Sequence, residues 1–521
     1  NFHVRVAAAL GGISQQQVEE QAGVLREAGL IVPDTAGSYA FRHALIRDTA
    51  YETLLRRRRR DLHSQLGDWL VRNDPAVRPD EVARHLTNAE RTLDAAPFWR
   101  QAGEAAAGQA AFAEAEAHFR QGIEMLSALE EKDAHTEATR SSLLASLGAT
   151  LMQTQGFAAP GVYGAYEEAY GIVSRFGGAP GQLIPVLWGF FIHQMMVGKI
   201  DAASRISQEL RSIAASVNDP DLKLVAEVTV GGACFYSGDF RGMVAQNAYV
   251  RAHYERERHR PFAAAYGMDL LNQGLLFEAH ARWFMGEADR VAPLIAEADE
   301  NGERLQLPLM EPYTEIWGAA ALIYAGHLEQ AIDRLERGIA LADRQGFTFW
   351  SVTGRVWRAI AAMESGDVEA GLPVLSENLA ILEMIGNGIG MPFFKAVRAH
   401  ALAQTGNLEE ALPLASAAVQ QSQESGDGCW RAEVLRLFGE VQAQAGNRDQ
   451  AFEAFDHSMA FAGGQGAHAW QLRTAISRTR HAWPEDSARA KQALLTLVHS
   501  AGPHRETRDL AEARGLAADC A

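Results

Sequence analysis

The chain has 521 residues, 47% of them hydrophobic, and a formal net charge of -17. That length can bury several cores in more than one compact unit, and the acidic excess excludes general binding to a phosphate backbone, which most of this surface would repel. Cys234, Cys429 and Cys520 lie too far apart for a disulfide framework or a zinc ribbon, which fits a reducing cytoplasm.

The sequence opens "NFHVRVAAALGG" at Asn1, with neither an initiator Met nor a charged-then-apolar leader, so it is expected to be part of something longer. In "SQQQVEEQAGVLREAGLI", Ser14 is placed to cap a helix whose Val18, Ala22 and Leu25 share one face, and Gly29 to end it. "LIVPDTAGSYAFRH" then puts a turn at Asp34 to Gly37 between two short apolar runs, a hairpin signal. Helix, turn, helix and hairpin is the order of a winged-helix domain, assigned to residues 1–43. Its second helix offers Gln17, Glu19, Glu20 and Glu27 against Arg26 alone, where phosphates and guanine edges call for Arg and Lys, so a structural or regulatory role is expected and DNA reading is not.

A connecting segment, 44–80, predicts one long helix from about Ala44 to Val71 that presents Leu55, Leu62, Leu66 and Trp69. Arg56 to Arg60 span more than a full turn and cannot all face one partner. Most are expected to be solvated, with one or two turned to an acidic or nucleotide-bearing domain upstream. Residues 81–182 hold divergent helical repeats, among them "GQAAFAEAEAHFRQGIEML" and "GAYEEAYGIVSRFGG". The most apolar run, Leu183 to Phe191, is about half of the roughly 20 residues a membrane span requires and contains Pro185, so it predicts a buried helix.

Residues 183–485 are periodic. Gly286, Gly326, Gly366, Gly406 and Gly446 are each 40 residues apart, Gly198 and Gly238 keep the same interval, and Gly346, Gly386, Gly426 and Gly466 fall halfway between. Each repeat is thus two helices closed by glycines: "HLEQAIDRLERGIALADRQ" places Leu328, Ile332, Leu335, Ile339 and Leu341 near a 3.6-residue period. Small residues recur seven positions before the first-series glycine, as at Ala359, and five after it, as at Gly371, where two helices must approach closely. The 48-residue step from Gly238 to Gly286 leaves about eight extra residues, assigned to "RERHRPF" and expected to protrude. Residues 486–521, with Asp486 in place of the next glycine, are assigned as capping helices.

"GHLEQA", "GDVEAG", "GNLEEA" and "GNRDQA" resemble the Gly-[Asp/Asn]-x-x-x-[Ala/Gly] turn of tetratricopeptide repeats, departing at His327, with a unit longer than that family's 34 residues. The resemblance implies an all-α, right-handed solenoid of about nine or ten hairpins with a concave groove, preceded by the small winged-helix domain. Winged helix, then "F-x-H-x-L-I-R-D-x-x-Y", then helical repeats is similar to the signal-transduction NTPases with numerous domains, the STAND class, and to the bacterial P-loop ATPases of the kind often fused to a class III adenylate or guanylate cyclase domain. In that class a Met-His-Asp motif stands here and its histidine approaches the β-phosphate of ADP. The resemblance therefore implies that His43, led by Phe41 and Arg42, contacts nucleotide on an upstream ATPase domain in cis that holds ATP or ADP with Mg; Ala44 departs from the acidic third position. The residues alone equally allow His43 to cap the helix beginning at Ala44 or to bond a wing carbonyl.

Trp350, Trp430 and Trp470 sit four residues after second-series glycines, Trp357 lies two turns after Trp350, and Trp283 and Trp317 fall on other first helices. First helices line the groove of such solenoids. These six are candidates to grip a protein, a peptide or a small effector, beside the plainer alternative of packing between neighbouring hairpins.

There is no Gly-x-x-x-x-Gly-Lys-[Ser/Thr], and "GNGIG", Gly386 to Gly390, reads as a helix cap with a turn because Gly386 is the repeat glycine. There is no His-Glu-x-x-His and no Gly-x-Ser-x-Gly, and His253 and His259 are six apart, so no metal ligand or catalytic residue is assigned. The expected function is the sensor and protein-interaction region of a STAND-like signalling ATPase. The alternatives are a pure interaction scaffold and the effector-binding part of a transcription activator.

Overall fold

The computed structural model describes residues 2–35, 37–109, 111–176, 180–266, 268–305, 307–308, 310–482, 487–500 and 507–518. It divides into two compact units, residues 1–150 with 172–177, and residues 151–171 with 178–521.

The first unit opens with β1 (Phe2–His3), α1 (Val4–Gly11), α2 (Gln15–Glu27), β2 (Ile31–Pro33) and β3 (Ser38–Phe41). Ser14 caps α2 through a reciprocal pair with Gln17: each backbone N–H meets the other's side-chain oxygen, at 3.2 and 2.9 Å. Gly29 follows with φ +72°. The hairpin β2–β3 has a third, unforeseen strand: β1 pairs antiparallel with β3, Phe2 opposite Tyr39 with their rings 5.9 Å apart. Val4, Ala8 and Val18 form the small core beneath.

The single helix expected from Ala44 is two, α3 (Ala44–Glu52) and α4 (Arg56–Asn73). At the break the Thr53 hydroxyl donates to the Ala50 carbonyl at 2.6 Å, giving the backbone a competing partner. α5 (Pro79–Asn88), α6 (Thr92–Gly108), α7 (Phe112–Ser127), α8 (Ala134–Gln155) and α9 (Pro160–Phe176) follow. Leu70, Val82, Leu86 and Trp99 make a second core, with Leu66 and Trp69 against it. Arg56 and Arg60, one turn apart, both pair with Glu90, at 2.6 and 2.8 Å. These two exposed arginines thus find their partner within their own unit.

The second unit is built of hairpins: α10 (Pro180–Met196) with α11 (Ile200–Val217), α12 (Pro220–Ser237) with α13 (Phe240–His253), α15 (Leu270–Phe284) with α16 (Val291–Leu305), and α17 (Met310–Ala325) with α18 (Leu328–Gln345). α19 (Thr348–Glu364) with α20 (Val368–Met384), α21 (Met391–Gln404) with α22 (Leu408–Glu424), α23 (Arg431–Gln444) with α24 (Arg448–Gln465), and α25 (His468–Arg480) with α26 (Ser487–Ser500) complete the series. Both glycine series take positive φ, which a residue with a Cβ adopts only at a cost. Gly371 packs where its own Cβ would lie 2.8 Å from the Ala359 carbonyl, as the small-residue spacing requires.

Burial separates the two helices of a pair. α18 buries a single stripe, Ala331, Leu335, Gly338 and Ala342, whereas α17 is buried on nearly every face. First helices therefore form the interior and second helices the outside. The extra residues after Gly238 do not protrude: they form α14 (Arg256–Tyr266), whose His259 is buried and takes Asp221 at 3.1 Å, while Tyr254 just before it donates to Asp269 at 2.7 Å. At the end, α27 (Arg508–Ala518) covers α25 and α26 through Leu472, Leu494 and Leu510. Asp486 lies outside the described residues.

The solenoid closes on itself. The Met196 carbonyl accepts the N–H groups of Gly388 and Ile389 at 2.7 and 3.2 Å, and the Tyr236 carbonyl accepts those of Gly428 and Cys429 at 2.8 and 3.1 Å. The same geometry thus recurs one repeat later. The α10–α11 and α12–α13 turns are joined to the α20–α21 and α22–α23 loops, five hairpins further on, along a seam to which Ile200 N–H adds a bond to Ser425 O at 3.0 Å.

Candidate functional site

Closing the seam converts the expected open groove into an interior. Trp283, Trp350, Trp357, Trp430 and Trp470 are buried and Trp317 is half-buried. They fall into two groups. Trp283 and Trp470 pack edge to face at 4.9 Å, with Tyr324 stacked on Trp283 and the Arg473 guanidinium 5.1 Å from Trp283. Arg473 is held by Asp509 at 2.7 Å and Glu433 at 3.5 Å, and these carboxylates push its already high pKa further up against the effect of burial. This cluster packs together hairpins far apart in sequence, with Trp283 also lining a smaller cavity of about 50 Å³ beside Leu472 and Leu510.

The other four, Trp317, Trp350, Trp357 and Trp430, surround a cavity of about 80 Å³. α10, α12, α15, α17 and α19 supply walls, among them Phe191, Tyr236, Phe277, Tyr313 and Trp350. The α20–α21 loop adds Asn387, Ile389 and Gly390, and Trp430 enters from the start of α23. The chamber is therefore lined from both sides of the seam. Trp350 lies 5.0 Å from Tyr313 at 83°, Phe393 stacks on Trp430 at 5.6 Å, and Trp430 Nε1 donates to the Tyr324 hydroxyl at 2.8 Å.

Among the described residues no lysine, arginine, histidine, aspartate or glutamate lines the chamber. Tyr313 is buried, and burial pushes its phenol well above the usual range. Just behind the wall lies Asp427, buried in the loop equivalent to the one that carries Asn387. Its carboxyl accepts Cys429 N–H at 3.1 Å, with the Trp430 and Gly390 N–H groups also turned to it, and burial pushes it up to about 7.

In the first unit, His43 is exposed at the start of α3, and its ring makes no capping hydrogen bond, so the capping alternative does not describe it. Tyr51 of the same motif does have a partner: its hydroxyl meets His63 Nε2 at 2.9 Å, and His63 Nδ1 meets His85 Nδ1 at 2.8 Å. Burial, with His63 beside it, pulls His85 down to about 4.

Gly428, Asp427, Gln273, Tyr313 and Thr353 were not singled out from the sequence, and Gly388 with Asn387 was read within "GNGIG" as a helix cap with a turn. Their signal was present: a second glycine two positions after Gly386 and after Gly426, absent after Gly346 and Gly466. Among the described residues no group of three or more His, Cys, Asp or Glu is arranged to hold a metal ion, and no helix is long and apolar enough to cross a membrane.

A tetratricopeptide repeat family model matches residues 396–462, within α21 to α24. The second unit is a tetratricopeptide-like solenoid. An uncharacterized protein of Rhizobium meliloti (strain 1021) is 25% identical over 242 residues, which is 45% of this chain and 23% of that protein. The chain thus spans less than a quarter of the length of the curated relative it matches. Among solved structures, a Rap protein complexed with Competence and Sporulation Factor aligns with a TM-score of 0.51 at 14% identity, covering 70% of this chain and 99% of that one. A STAND protein with a tetratricopeptide repeat sensor from Pyrococcus horikoshii aligns with a TM-score of 0.35 at 12% identity, covering 88% and 60%. At 14% identity the likeness to the Rap protein is one of fold.

Proposed function

We propose that this chain is the sensor and protein-interaction region of a cytoplasmic STAND-like ATPase, in which the solenoid takes up a signal and α3 relays it to a nucleotide-binding domain upstream. The observation that carries this is the state of the junction helix. α3 buries none of its residues, its Leu45 is 77% exposed and Leu55, just before α4, 79% exposed, and His43 stands at the start of α3 with an uncommitted ring. Apolar side chains that exposed, beside a histidine able to donate to a phosphate, fit a surface made for another body in cis.

The seam is the element a signal can bias. It joins turns five hairpins apart, and the chamber is lined by residues on both of its sides, so an occupant with different affinity for the joined and parted states shifts their balance. ATP or ADP with Mg would be held upstream, with His43 as this chain's contribution. The test is His43→Ala in the full-length protein, a substitution the exposed site tolerates. ADP retention through gel filtration falls at least tenfold and basal ATPase activity rises; unchanged retention and activity would sink the reading.

A second reading, an interaction scaffold without a switch, is favoured by the family match lying wholly inside the repeats and by the Rap protein of similar fold being complexed with a factor. Whether the reading frame upstream of Asn1 encodes a Gly-x-x-x-x-Gly-Lys-[Ser/Thr] loop separates the two.

A further inference from the structure

Resting on the sensor reading and giving it a ligand chemistry, we propose that the chamber binds a neutral, flat aromatic or heteroaromatic small molecule carrying both a hydrogen-bond donor and an acceptor.

The lining sets each of those terms. Aromatic rings dominate it, and rings accept flat partners in offset or edge-to-face contact. Met195, Met196 and Met268 add flexible thioether side chains that can adjust to an occupant's outline. With no charged residue among the described residues of the lining, a charged ligand would lose its hydration without gaining a counter-charge.

Four lining residues carry uncommitted polar atoms. Gln273 Oε1, Tyr313 Oη, Thr353 Oγ1 and Asn387 Oδ1 are buried without a hydrogen-bond partner, and each residue is at least nine-tenths buried. Buried polar atoms are normally paired; these four, each sealed from water on a residue that lines one cavity, point to groups brought by an occupant around which the lining side chains turn. The comparison between equivalent loops sharpens this. Asp427 gives its oxygens to backbone N–H groups, whereas Asn387 uses only its amide nitrogen, on Ile389 O at 3.0 Å, and leaves its oxygen uncommitted. Two amide oxygens accept and two hydroxyls can donate, which calls for both functions on the ligand. A peptide strand brings more N–H and C=O groups than four side chains can satisfy.

The test is calorimetric and fluorescence titration of the 521-residue chain with quinolin-2-one and indole, both flat and neutral, and with quinoline-2-carboxylate as the charged counterpart. Gly232→Leu fills the chamber: a Cβ there meets Phe191 at 3.4 Å, ordinary contact, so the new side chain extends inward without a backbone collision. Thr353→Val keeps the shape and removes a buried hydroxyl. The expected result is saturable one-to-one binding of a neutral probe, at least tenfold tighter than the carboxylate. Gly232→Leu weakens it at least tenfold, and Thr353→Val weakens quinolin-2-one about threefold or more while the free chain melts no lower. Failure of both neutral probes to saturate, equal affinity for the carboxylate, or unweakened binding in Gly232→Leu would overturn the proposal. Where Gly232→Leu loses its helical circular dichroism, Thr353→Val decides, and unchanged affinity there is the negative result. His43→Ala leaves this binding intact, so the chamber and the nucleotide switch fail separately.

Discussion

Asp427 is the residue whose charge state matters most to the seam. Burial raises its carboxyl to about 7, against an ordinary value of 3.8, so folding favours the protonated form. The stabilising contribution is complete below 3.8 and is lost as pH rises through about 7. Asn387, forty residues earlier in the equivalent loop, shows that an amide fits there. Asp427→Asn is therefore expected to melt higher than the parent at pH 8, with the gap closing by pH 4 to 5; thermal unfolding at both ends of that range checks it. The sequence marked Asp427 only by the second glycine beside it, and "GDG" at a helix end reads as an ordinary turn. His43 was legible because its neighbours carry a motif, and its exposed, uncapped ring keeps the nucleotide contact open to test.

The loops between repeats contain glycines of two kinds. Gly406 has φ +86° with nothing within 4 Å of an added Cβ, so Gly406→Ala meets only backbone strain, about 1–2 kcal/mol. Gly428 and Gly388 lack a positive φ but lie against backbone: an added Cβ would collide with the Ser237 and Val197 carbonyls respectively. Gly428→Ala is thus expected to cost about 1–3 kcal/mol by forcing the seam apart. Hydrogen exchange distinguishes the two variants: amides of Ser237 to Asp239 and of the 425–429 loop exchange faster in Gly428→Ala and at the parent rate in Gly406→Ala. The capping glycines could be read from the sequence because a helix end is a local event with a fixed interval. The seam glycines answer to backbone 190 residues away, Gly388 to Gly198 and Gly428 to Gly238, and no local pattern states that pairing. Magnitudes also say what holds the seam shut. Its few N–H to carbonyl bonds contribute about 1 kcal/mol each, whereas every tryptophan buried inside removes about 150–250 Å² from water, several kcal/mol apiece.

In the molecule as a whole, this closure changes how the second unit stands up to damage. An open solenoid is held by nearest neighbours, so removing its last repeats leaves distant ones protected. Here a chain ending at Glu424, without α23 to α27, loses Trp430 and the Gly428 contact to Tyr236, and α12 is expected to exchange its amides faster although its neighbours in sequence are intact. Unchanged protection of α12 would show that the seam carries no cooperativity. The sequence by itself determined the helical repeat, its register and the pairing of helices, because caps, period and small-residue spacing act within one hairpin. It also placed a helix and a hairpin ahead of the repeats, while missing β1 and the break at Thr53, each of which depends on a partner that local spacing does not name. What only the tertiary structure decided is that the tryptophans face a chamber lined from both sides of the seam, and a cluster between distant hairpins, in place of a groove. That follows from curvature: how far the repeats wind before they meet is the sum of small rotations between hairpins, and the side chains that stop the winding come from opposite ends of it.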